Sequence, residues 1–284
     1  MRALDSGVER VVSVSREPSK APRTDDARLE RVEADALRRG AWESALERVR
    51  PAAVILCTAL PRIPDCESYP ALARRINVDL PRAVATWCAA NGARLVHVST
   101  DLVFGADPAP PCGYREDAPT APVSVYGSTK AEAEHAVLEL HSRAVVARLP
   151  LLFGDSLGRG LGASESLLAA IARGEQPTLF EDEWRTPLDV RDAAGALIEL
   201  AGGDFAGTLH VAGPERVNRV ELGLAALRAH GFDDQAARSR IRVGRRAELG
   251  MERTRPADVS LDASRARELV HTRLRGVSEA LASR

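Results

Sequence analysis

The chain has 284 residues, 45% of them apolar and 28% charged, which is the composition of an ordinary globular protein with enough apolar side chains for a sizeable core. Its 39 Lys and Arg residues nearly balance 40 Asp and Glu residues, and the net charge of −1 argues against a protein that binds nucleic acid through a basic surface. No stretch approaches the ~20 apolar residues of a membrane helix and no charged-then-apolar leader opens the chain, so we expect a cytoplasmic protein that does not bind membranes.

Through residue 150 the chain alternates between short apolar segments and segments with helical spacing. In chain order these are a strand at 9–14, a polar loop at 18–28, a helix at 36–49, a strand at 52–57, a helix at 70–90 with a kink or a new start at Pro81, a strand at 94–99, a helix at 124–141 and a strand at 144–149. Repeated strand–helix–strand units imply right-handed crossovers. The predicted fold class is therefore α/β, with a doubly wound parallel, Rossmann-like sheet.

Beyond Pro150 the pattern changes to shorter segments. These are a Gly-rich loop at 154–164, a helix at about 164–173, a helix at 189–201, a strand at 209–211, a helix at about 219–230, a strand at 240–243 and a helical stretch from 262. We expect a larger domain at 1–150 plus about 176–206, and a smaller α/β lobe at 151–175 and 207–284.

The cysteines and histidines are not spaced as metal ligands or redox pairs. The four cysteines include no C-x-x-C pair, and the six histidines show no H-E-x-x-H spacing, so no metal site is predicted. Cys57 lies in an apolar run and Cys88 in a helical pattern, which favours buried, reduced thiols.

The most informative motif is Tyr126-Gly-Ser-Thr-Lys130 at the start of a predicted helix. Residues four apart lie on one face of a helix, so the phenol and the ammonium can point into the same space. An ammonium favours the phenolate form of a nearby tyrosine, which makes the phenol a usable general acid or base. The pattern alone also arises by chance, so it needs support from its surroundings.

That support comes from Ser99-Thr100-Asp101, at the C-terminal end of a predicted parallel strand. Ligands of open α/β sheets bind outside these strand ends, where a hydroxyl can donate to a carbonyl oxygen that gains negative charge. A hydroxyl, a tyrosine and a lysine together suit the interconversion of a ketone and an alcohol with a hydride carrier. The alternative is that Ser99 and Thr100 only cap the strand end.

With these motifs the chain resembles the extended short-chain dehydrogenase/reductases, and within them the dTDP-4-dehydrorhamnose reductase branch. The residues that carry the resemblance are Val98–Gly105 (VSTDLVFG), Tyr114–Pro119 (YREDAP) and Val125–Lys130 (VYGSTK), supported by Asp65–Glu67, Asn77–Val78, Arg148–Gly154, Thr186–Pro187, Arg255–Pro256 and Leu261–Asp262. They follow the family's order from about residue 10 to the C-terminus.

The resemblance implies an NAD(P)H-dependent reductase of a nucleotide-linked 4-keto-6-deoxy sugar, with an NADP-binding larger domain and a substrate-binding smaller lobe. Tyr126 would give a proton to the keto oxygen, Lys130 would bind the nicotinamide ribose, and Thr100 would bond the carbonyl. Arg16 would lie beside the adenosine ribose, where a guanidinium suits the 2′-phosphate of NADP(H), with NAD(H) left open.

The full sets of residues implied by the resemblance are larger. The cofactor-binding set is Arg16, Asp35, Ala36, Cys57, Thr58, Ala59, Asn77, Ser99, Tyr126 and Lys130. The substrate-binding set is Thr100, Asp101, Val103, Phe104, Leu151 and Arg185. A nucleotide-linked sugar is the expected partner, and a homodimer is left open.

Two departures from the family pattern leave alternatives open. The sequence opens on what resembles the end of the first helix, so a first strand and Gly-rich turn of roughly 20 residues are expected upstream. Gly154 to Gly162 does not match the Gly-rich fingerprint. The open explanations are a truncated reading frame, a degenerate cofactor site, or a strand supplied by another chain.

The second departure is Leu149-Pro-Leu151, where the rhamnose-pathway reductases tend to have Thr-Ser-Trp, which leaves the identity of the sugar open. Two rival functions remain. One is a non-catalytic binding or regulatory subunit, as in the methionine adenosyltransferase regulatory subunit, which resembles the same branch. The other is a related epimerase or dehydratase, although a dehydratase is the weaker reading because it would want a different triplet at Thr100-Asp101.

Overall fold

The computed structural model describes residues 2–5, 7–18, 25–38, 40–157, 160 and 162–283. The strands are β1 (Val11–Ser15), β2 (Leu29–Glu33), β3 (Ala53–Leu56), β4 (Arg94–Thr100), β5 (Val145–Leu149), β6 (Leu152–Phe153), β7 (Thr178–Phe180), β8 (Trp184–Arg185), β9 (Leu188–Asp189), β10 (Gly207–His210), β11 (Val217–Asn218) and β12 (Arg242–Gly244). The helices are α1 (Arg2–Asp5), α2 (Ala41–Val49), α3 (Ile63–Ser68), α4 (Pro70–Arg74), α5 (Leu80–Asn91), α6 (Val125–Leu140), α7 (Ala163–Ala172), α8 (Val190–Gly202), α9 (Arg219–Ala229), α10 (Asp234–Ser239), α11 (Ser264–Leu269) and α12 (Val277–Ala282).

The main sheet has four parallel strands in the order β10-β5-β4-β3, and β1 and β2 form a separate parallel ribbon. Across the described residues, β1 pairs only with β2, and β3 pairs only with β4. The parallel α/β architecture predicted from the sequence is confirmed. Because the strands of the main sheet are parallel, the residues that follow β3, β4 and β5 lie at one edge of the sheet.

The core lies on both faces of the main sheet. On one face, apolar side chains of β4, β5 and β10 pack against α8, with Val96 and Leu197 among them. On the other face, Leu95 and Val146 pack against α5 and α6. Alternate residues of each strand therefore contact different helices, which fixes the register of α6 on β4.

The second lobe is built from three two-stranded pairings, β6–β9, β7–β12 and β8–β11, with α7, α9 and α10 packed beside them. The strand pairing differs from the expected boundaries at two places. Residues 207–210 form β10 in the main sheet, and residues 178–185 pair with the lobe strands. Short segments show where a strand begins but not which strand it joins.

Two local expectations also changed. The strand β2 was not predicted, because three of the five residues in its sequence LERVE are charged and it follows a polar loop. The helical pattern from residue 70 is interrupted by a π-helical turn, Arg75–Asp79. The helix α5 then begins with Pro81 in its first turn, where backbone N–H groups have no acceptor within the helix and the missing N–H of proline loses no hydrogen bond. Among the described residues, no helix has both the length and the apolar character to cross a lipid bilayer.

Candidate active site

The helix α6 carries Tyr126 and Lys130 to the edge of the main sheet. Ser124 caps this helix, its side chain accepting a hydrogen bond from the Gly127 amide at 3.1 Å. Gly127 is required by a close approach, because a Cβ atom there would lie 2.1 Å from the carbonyl oxygen of Leu102 in the turn after β4. The helix start therefore packs directly against the end of β4, which brings Tyr126 next to Thr100.

Thr100 ends β4 and begins a single 3₁₀ turn. Its hydroxyl accepts a hydrogen bond from the Leu102 amide at 3.2 Å and donates to Oδ1 of Asp101 at 3.1 Å. Burial raises the pKa of Tyr126 well above its ordinary value, the negative charge of Asp101 raises it further, and a hydrogen bond with Thr100 works in the opposite direction. Tyr126 is thus a protonated phenol at neutral pH, as a proton donor must be.

Lys130 is 1% exposed, and burial lowers its pKa from 10.5 to about 8, while the charges of Glu134 and Cys57 act to raise it. Its amine lies 3.1 Å from Nε2 of His97 on β4. One helical turn further along α6, the carboxylate of Glu134 accepts hydrogen bonds from the Ser99 hydroxyl and from the guanidinium of Arg148. The site therefore rests on a buried polar layer between β4, β5 and α6.

A second ionic layer lies on the side of the smaller lobe. The buried Arg185 is 3.7 Å from Asp101 and 3.4 Å from Glu183. Burial raises the pKa of Asp101 to about 6, and the charge of Arg185 opposes that rise. Glu183 also accepts two hydrogen bonds from Arg255. Arg185, expected to bind substrate, thus has its guanidinium engaged with protein groups.

The remaining cofactor-binding candidates lie at the same strand ends. Asn77 is buried and holds the loop after β3, bonding both the amide and the carbonyl of Leu60, and it also donates to the Thr129 hydroxyl at 3.1 Å. In that loop Cys57 and Thr58 are exposed and Ala59 is half-buried, so the expectation of a buried Cys57 thiol is wrong. Cys88 is buried, as expected.

The ribbon of β1 and β2 carries three of the cofactor-binding candidates just after its strands. Arg16 follows β1 and is exposed, whereas Asp35 and Ala36 follow β2 and are half-buried. A backbone hydrogen bond from Ala34 to Ser15 at 3.1 Å holds the two strand ends side by side. The assignment of these residues to an adenosine stays a prediction.

The candidate substrate residues occupy different environments. Val103 and Phe104 are fully buried, and the Phe104 ring stacks on Tyr114 with 4.2 Å between ring centroids. Their side chains belong to the core under the site, so contact with a ligand would have to come from their backbone. Leu151 is half-buried after β5, and its carbonyl accepts a hydrogen bond from Leu188.

Sequence reasoning missed His97, Glu134 and Glu183. The signal for the first two was present: His97 and Ser99 alternate on one strand, and Glu134 follows Lys130 by one helical turn. Glu183 has only its pairing with Arg185, two residues away, as a local signal, because Arg219 and Arg255 come from distant segments. Within the described residues, no three His, Cys, Asp or Glu side chains converge as a metal site.

The side chains at this edge fit the nicotinamide half of a dinucleotide. The phenol of Tyr126 is hydrogen-bonded to the Thr100 hydroxyl, Lys130 lies one helical turn further along α6, and Cys57 and Thr58 at the neighbouring strand end are exposed. A Gly-rich turn that would bind a pyrophosphate is not found in the sequence. The donor set therefore fits the nicotinamide half of such a cofactor.

Comparison with known proteins places the chain in a family. Residues 6–284 match the family model described as RmlD substrate binding domain. The chain is 34% identical over 233 residues to a dTDP-4-dehydrorhamnose reductase of Streptomyces griseus, covering 79% of this chain and 73% of that protein. It is 30% identical over 227 residues to methionine adenosyltransferase 2 subunit beta of Bos taurus, covering 78% of this chain and 65% of that protein.

A solved structure with the same fold is dTDP-4-dehydrorhamnose reductase from Bacillus anthracis in complex with NADP, with a TM-score of 0.81, 21% identity, and coverage of 97% of this chain and 98% of that one. The match of the fold extends over nearly the whole chain and agrees with the resemblance identified from the motifs. The chain belongs to the RmlD substrate-binding-domain family, in the dTDP-4-dehydrorhamnose reductase-like branch of the extended short-chain dehydrogenase/reductases.

Proposed function

We propose that this protein is an NAD(P)H-dependent reductase of a nucleotide-linked 4-keto-6-deoxy sugar. The observation that carries the proposal is the position of Tyr126 beside Thr100 at the end of β4, with Lys130 one helical turn further along α6. Family membership supports it, because a relative at 34% identity is a dTDP-4-dehydrorhamnose reductase.

In the proposed reaction the chain supplies the proton and the geometry. The Tyr126 hydroxyl donates its proton to the keto oxygen, and its raised pKa keeps that proton in place until the oxygen becomes basic. Thr100 holds the same oxygen through its hydroxyl, which must turn away from Asp101 to do so. Once a ligand draws the Lys130 amine away from His97, its positive charge would lie closer to the phenol and would favour the loss of the phenolic proton.

The proposed cofactor is NADP(H), which when bound supplies the hydride. Lys130 and Tyr126 would bind the nicotinamide ribose, and the loop with Cys57, Thr58 and Ala59 would pass along the cofactor, held in position by Asn77. Arg16 supports NADP(H) over NAD(H), because an exposed guanidinium at a strand end suits a 2′-phosphate. We propose that the main sheet binds the cofactor and that the smaller lobe binds the sugar nucleotide.

The test is to titrate the protein with NADPH and with NADH by fluorescence, and then to follow NADPH consumption with dTDP-4-dehydrorhamnose. We expect tighter binding of NADPH and consumption that depends on the sugar nucleotide. The variant Tyr126→Phe should bind NADPH as before but lose turnover by roughly 100-fold or more, the usual range for a lost general acid. Tyr69→Phe, at a tyrosine that is 63% exposed, is the matched control and should retain turnover. Equal turnover in wild type and Tyr126→Phe would remove this tyrosine from the mechanism.

A second candidate is a non-catalytic subunit that binds a cofactor or a sugar nucleotide. The observation that favours it is the 30% identity to methionine adenosyltransferase 2 subunit beta. NADPH binding without turnover on any 4-keto sugar nucleotide would favour this candidate.

We also propose a cytoplasmic location and leave a homodimer as the assembly to be tested. The four cysteines are free thiols, as reducing compartments favour. Light scattering after size-exclusion chromatography measures the mass of the assembly, and cell fractionation tests the location.

A further inference from the structure

The amine of Lys130 is turned into the protein, towards His97. The groups that face this amine are His97 from β4, Glu134 from α6 and Cys57 from the loop after β3. The carboxylate of Glu134 is engaged by Arg148 and by the Ser99 hydroxyl. Over the described ranges, the hydrogen bond that Lys130 makes is the one to Nε2 of His97, at 3.1 Å.

This contact follows from the register of α6 on β4. His97 and Ser99 are two residues apart on one face of a strand, a distance of about 6.6 Å. Lys130 and Glu134 are four residues apart on one face of a helix, a rise of about 6 Å. The two spacings match, so His97 meets Lys130 while Ser99 meets Glu134. The two contacts form one layer, and moving the strand by one residue would break both of them.

His97 is an uncharged acceptor. Burial, followed by the charge of Lys130, lowers the pKa of His97 well below its ordinary value, so the imidazole is neutral at neutral pH. A neutral imidazole that accepts at Nε2 carries its proton on Nδ1. That Nδ1 atom is buried and has no hydrogen-bond partner among the residues that the structure describes. The burial of an unpaired polar atom is unfavourable, which argues that the contact on the other side of the ring matters.

We propose that His97 is a positioning residue for Lys130: its Nε2 atom holds the ammonium inside the fold and yields it to a ligand hydroxyl that reaches the cleft. A carboxylate at this position would form a full ion pair and retain the amine, whereas an apolar side chain would leave a buried ammonium without an acceptor. The inference rests on the proposed function, since only there does Lys130 have a ligand to bind.

The sequence makes this contact easy to measure, because it contains only two lysines, Lys20 and Lys130, among its 39 basic residues. In a Lys20→Arg background, ¹³C labelling of lysine at Cε leaves one signal to titrate by NMR. Wild type should titrate well below a free lysine. His97→Leu should titrate lower still, by about one pH unit, because a hydrogen bond to a charged group is lost. His97→Gln restores an acceptor and should return towards wild type.

His210→Leu is the matched control. His210 is a second fully buried histidine that also contacts a cation, Arg148. Its replacement should leave the titration of Lys130 unchanged. A His97→Leu titration equal to that of wild type, or an equal shift in His210→Leu, would overturn the proposal.

A measurement on the unmodified protein covers the case in which His97→Leu does not fold. Long-range ¹⁵N–¹H spectra of the histidine rings should show His97 protonated at Nδ1 and unprotonated at Nε2, and the reverse would overturn the proposal. None of these NMR readouts needs cofactor or substrate, so they remain valid if no reductase activity is found. Where turnover is present, His97→Leu should lower kcat and shift its alkaline limb without changing the KM for the ketone.

Discussion

Asp101 and Arg185 meet between the end of β4 and the second lobe, with 3.7 Å between the Asp101 Oδ2 and the Arg185 Nε. The other carboxylate oxygen of Asp101 accepts the hydrogen bond of Thr100. One buried carboxylate thus links the candidate catalytic hydroxyl to an arginine of the smaller lobe. The cluster then continues from Arg185 to Glu183 and Arg255.

The first prediction concerns Asp101 and pH. Burial raises the pKa of Asp101 in the folded protein to about 6 from 3.8, so the protonated form favours folding and this contribution is lost as the pH rises through 6. Asp101→Asn does not titrate. Its free energy of unfolding relative to wild type should therefore increase by about 1 kcal/mol between pH 5 and pH 8. Urea unfolding at the two pH values measures this, with Asp117→Asn, at an exposed aspartate, as the matched control. A difference independent of pH would contradict the raised pKa.

Gly127→Ala tests the close approach of α6 to β4. The added Cβ would lie 2.1 Å from the Leu102 carbonyl, so the helix start must move away from the turn after Thr100. We expect a loss of about 1–3 kcal/mol in stability, and a loss of turnover larger than the fraction of protein that unfolds. Gly202→Ala, at a helical glycine with nothing within 4 Å, should be neutral or slightly stabilising. Thermal unfolding measures the stability of both variants. Equal stabilities of Gly127→Ala and Gly202→Ala would show that the close approach of α6 to β4 is not needed.

Glu134 and Glu132 lie on the same helix and each pairs with an arginine. The pair of Glu134 with Arg148 is buried, with 2.7 Å between Oε2 and Nη2, whereas the pair of Glu132 with Arg74 is half-exposed. Glu134→Gln leaves Arg148 as a buried charge with a weaker partner and should lower the free energy of unfolding by about 3–5 kcal/mol. Glu132→Gln should lower it by less than about 1 kcal/mol. Denaturant titrations of the two variants measure the difference, and similar losses would mean that burial does not set the strength of the pair.

Asn77→Ala tests the loop after β3. Asn77 bonds the Leu60 amide at 2.8 Å and the Thr129 hydroxyl at 3.1 Å, so its removal frees the loop from α6. If this loop passes along a cofactor, NADPH binding should weaken by about tenfold, equivalent to one or two lost hydrogen bonds. Asn91→Ala removes an exposed contact with the Trp87 carbonyl and should leave binding unchanged. Fluorescence titration gives both affinities. An unchanged NADPH affinity in Asn77→Ala would separate this loop from the cofactor.

Much of the fold could be predicted from periodicity. Apolar runs such as 52–57 and 144–149 gave the parallel strands of the main sheet, because strands covered on both faces need apolar residues at nearly every position. The strand β2 of the separate ribbon was harder to predict. It is only half-buried, and its five residues include the charged Glu30 and Arg31. The spacing of apolar residues reports burial, so a strand that is little buried has only a weak apolar pattern in the sequence.

The candidate site divides in the same way. That Tyr126 and Lys130 lie on the same side of a helix could be predicted, because residues four apart on a helix share a face in any fold. The contact of Arg185 with Asp101 could not, because it depends on how the second lobe packs on the main sheet. Nor could the depth of Phe104, which looked like a ligand contact and is fully buried.

The sequence by itself determined the parallel α/β class, the helix that carries the tyrosine and the lysine, and the family to which the chain belongs. The first two depend on residues close together in the chain, whose geometry follows from the 3.6-residue and two-residue repeats of helix and strand, and the third depends on motifs that follow the family's order along the chain. Only the tertiary structure decided that His97 accepts the Lys130 amine and that Arg185 holds Asp101. Those contacts join segments 33 and 84 residues apart, and packing between distant segments sets burial, and with it the charge state of every group in the site.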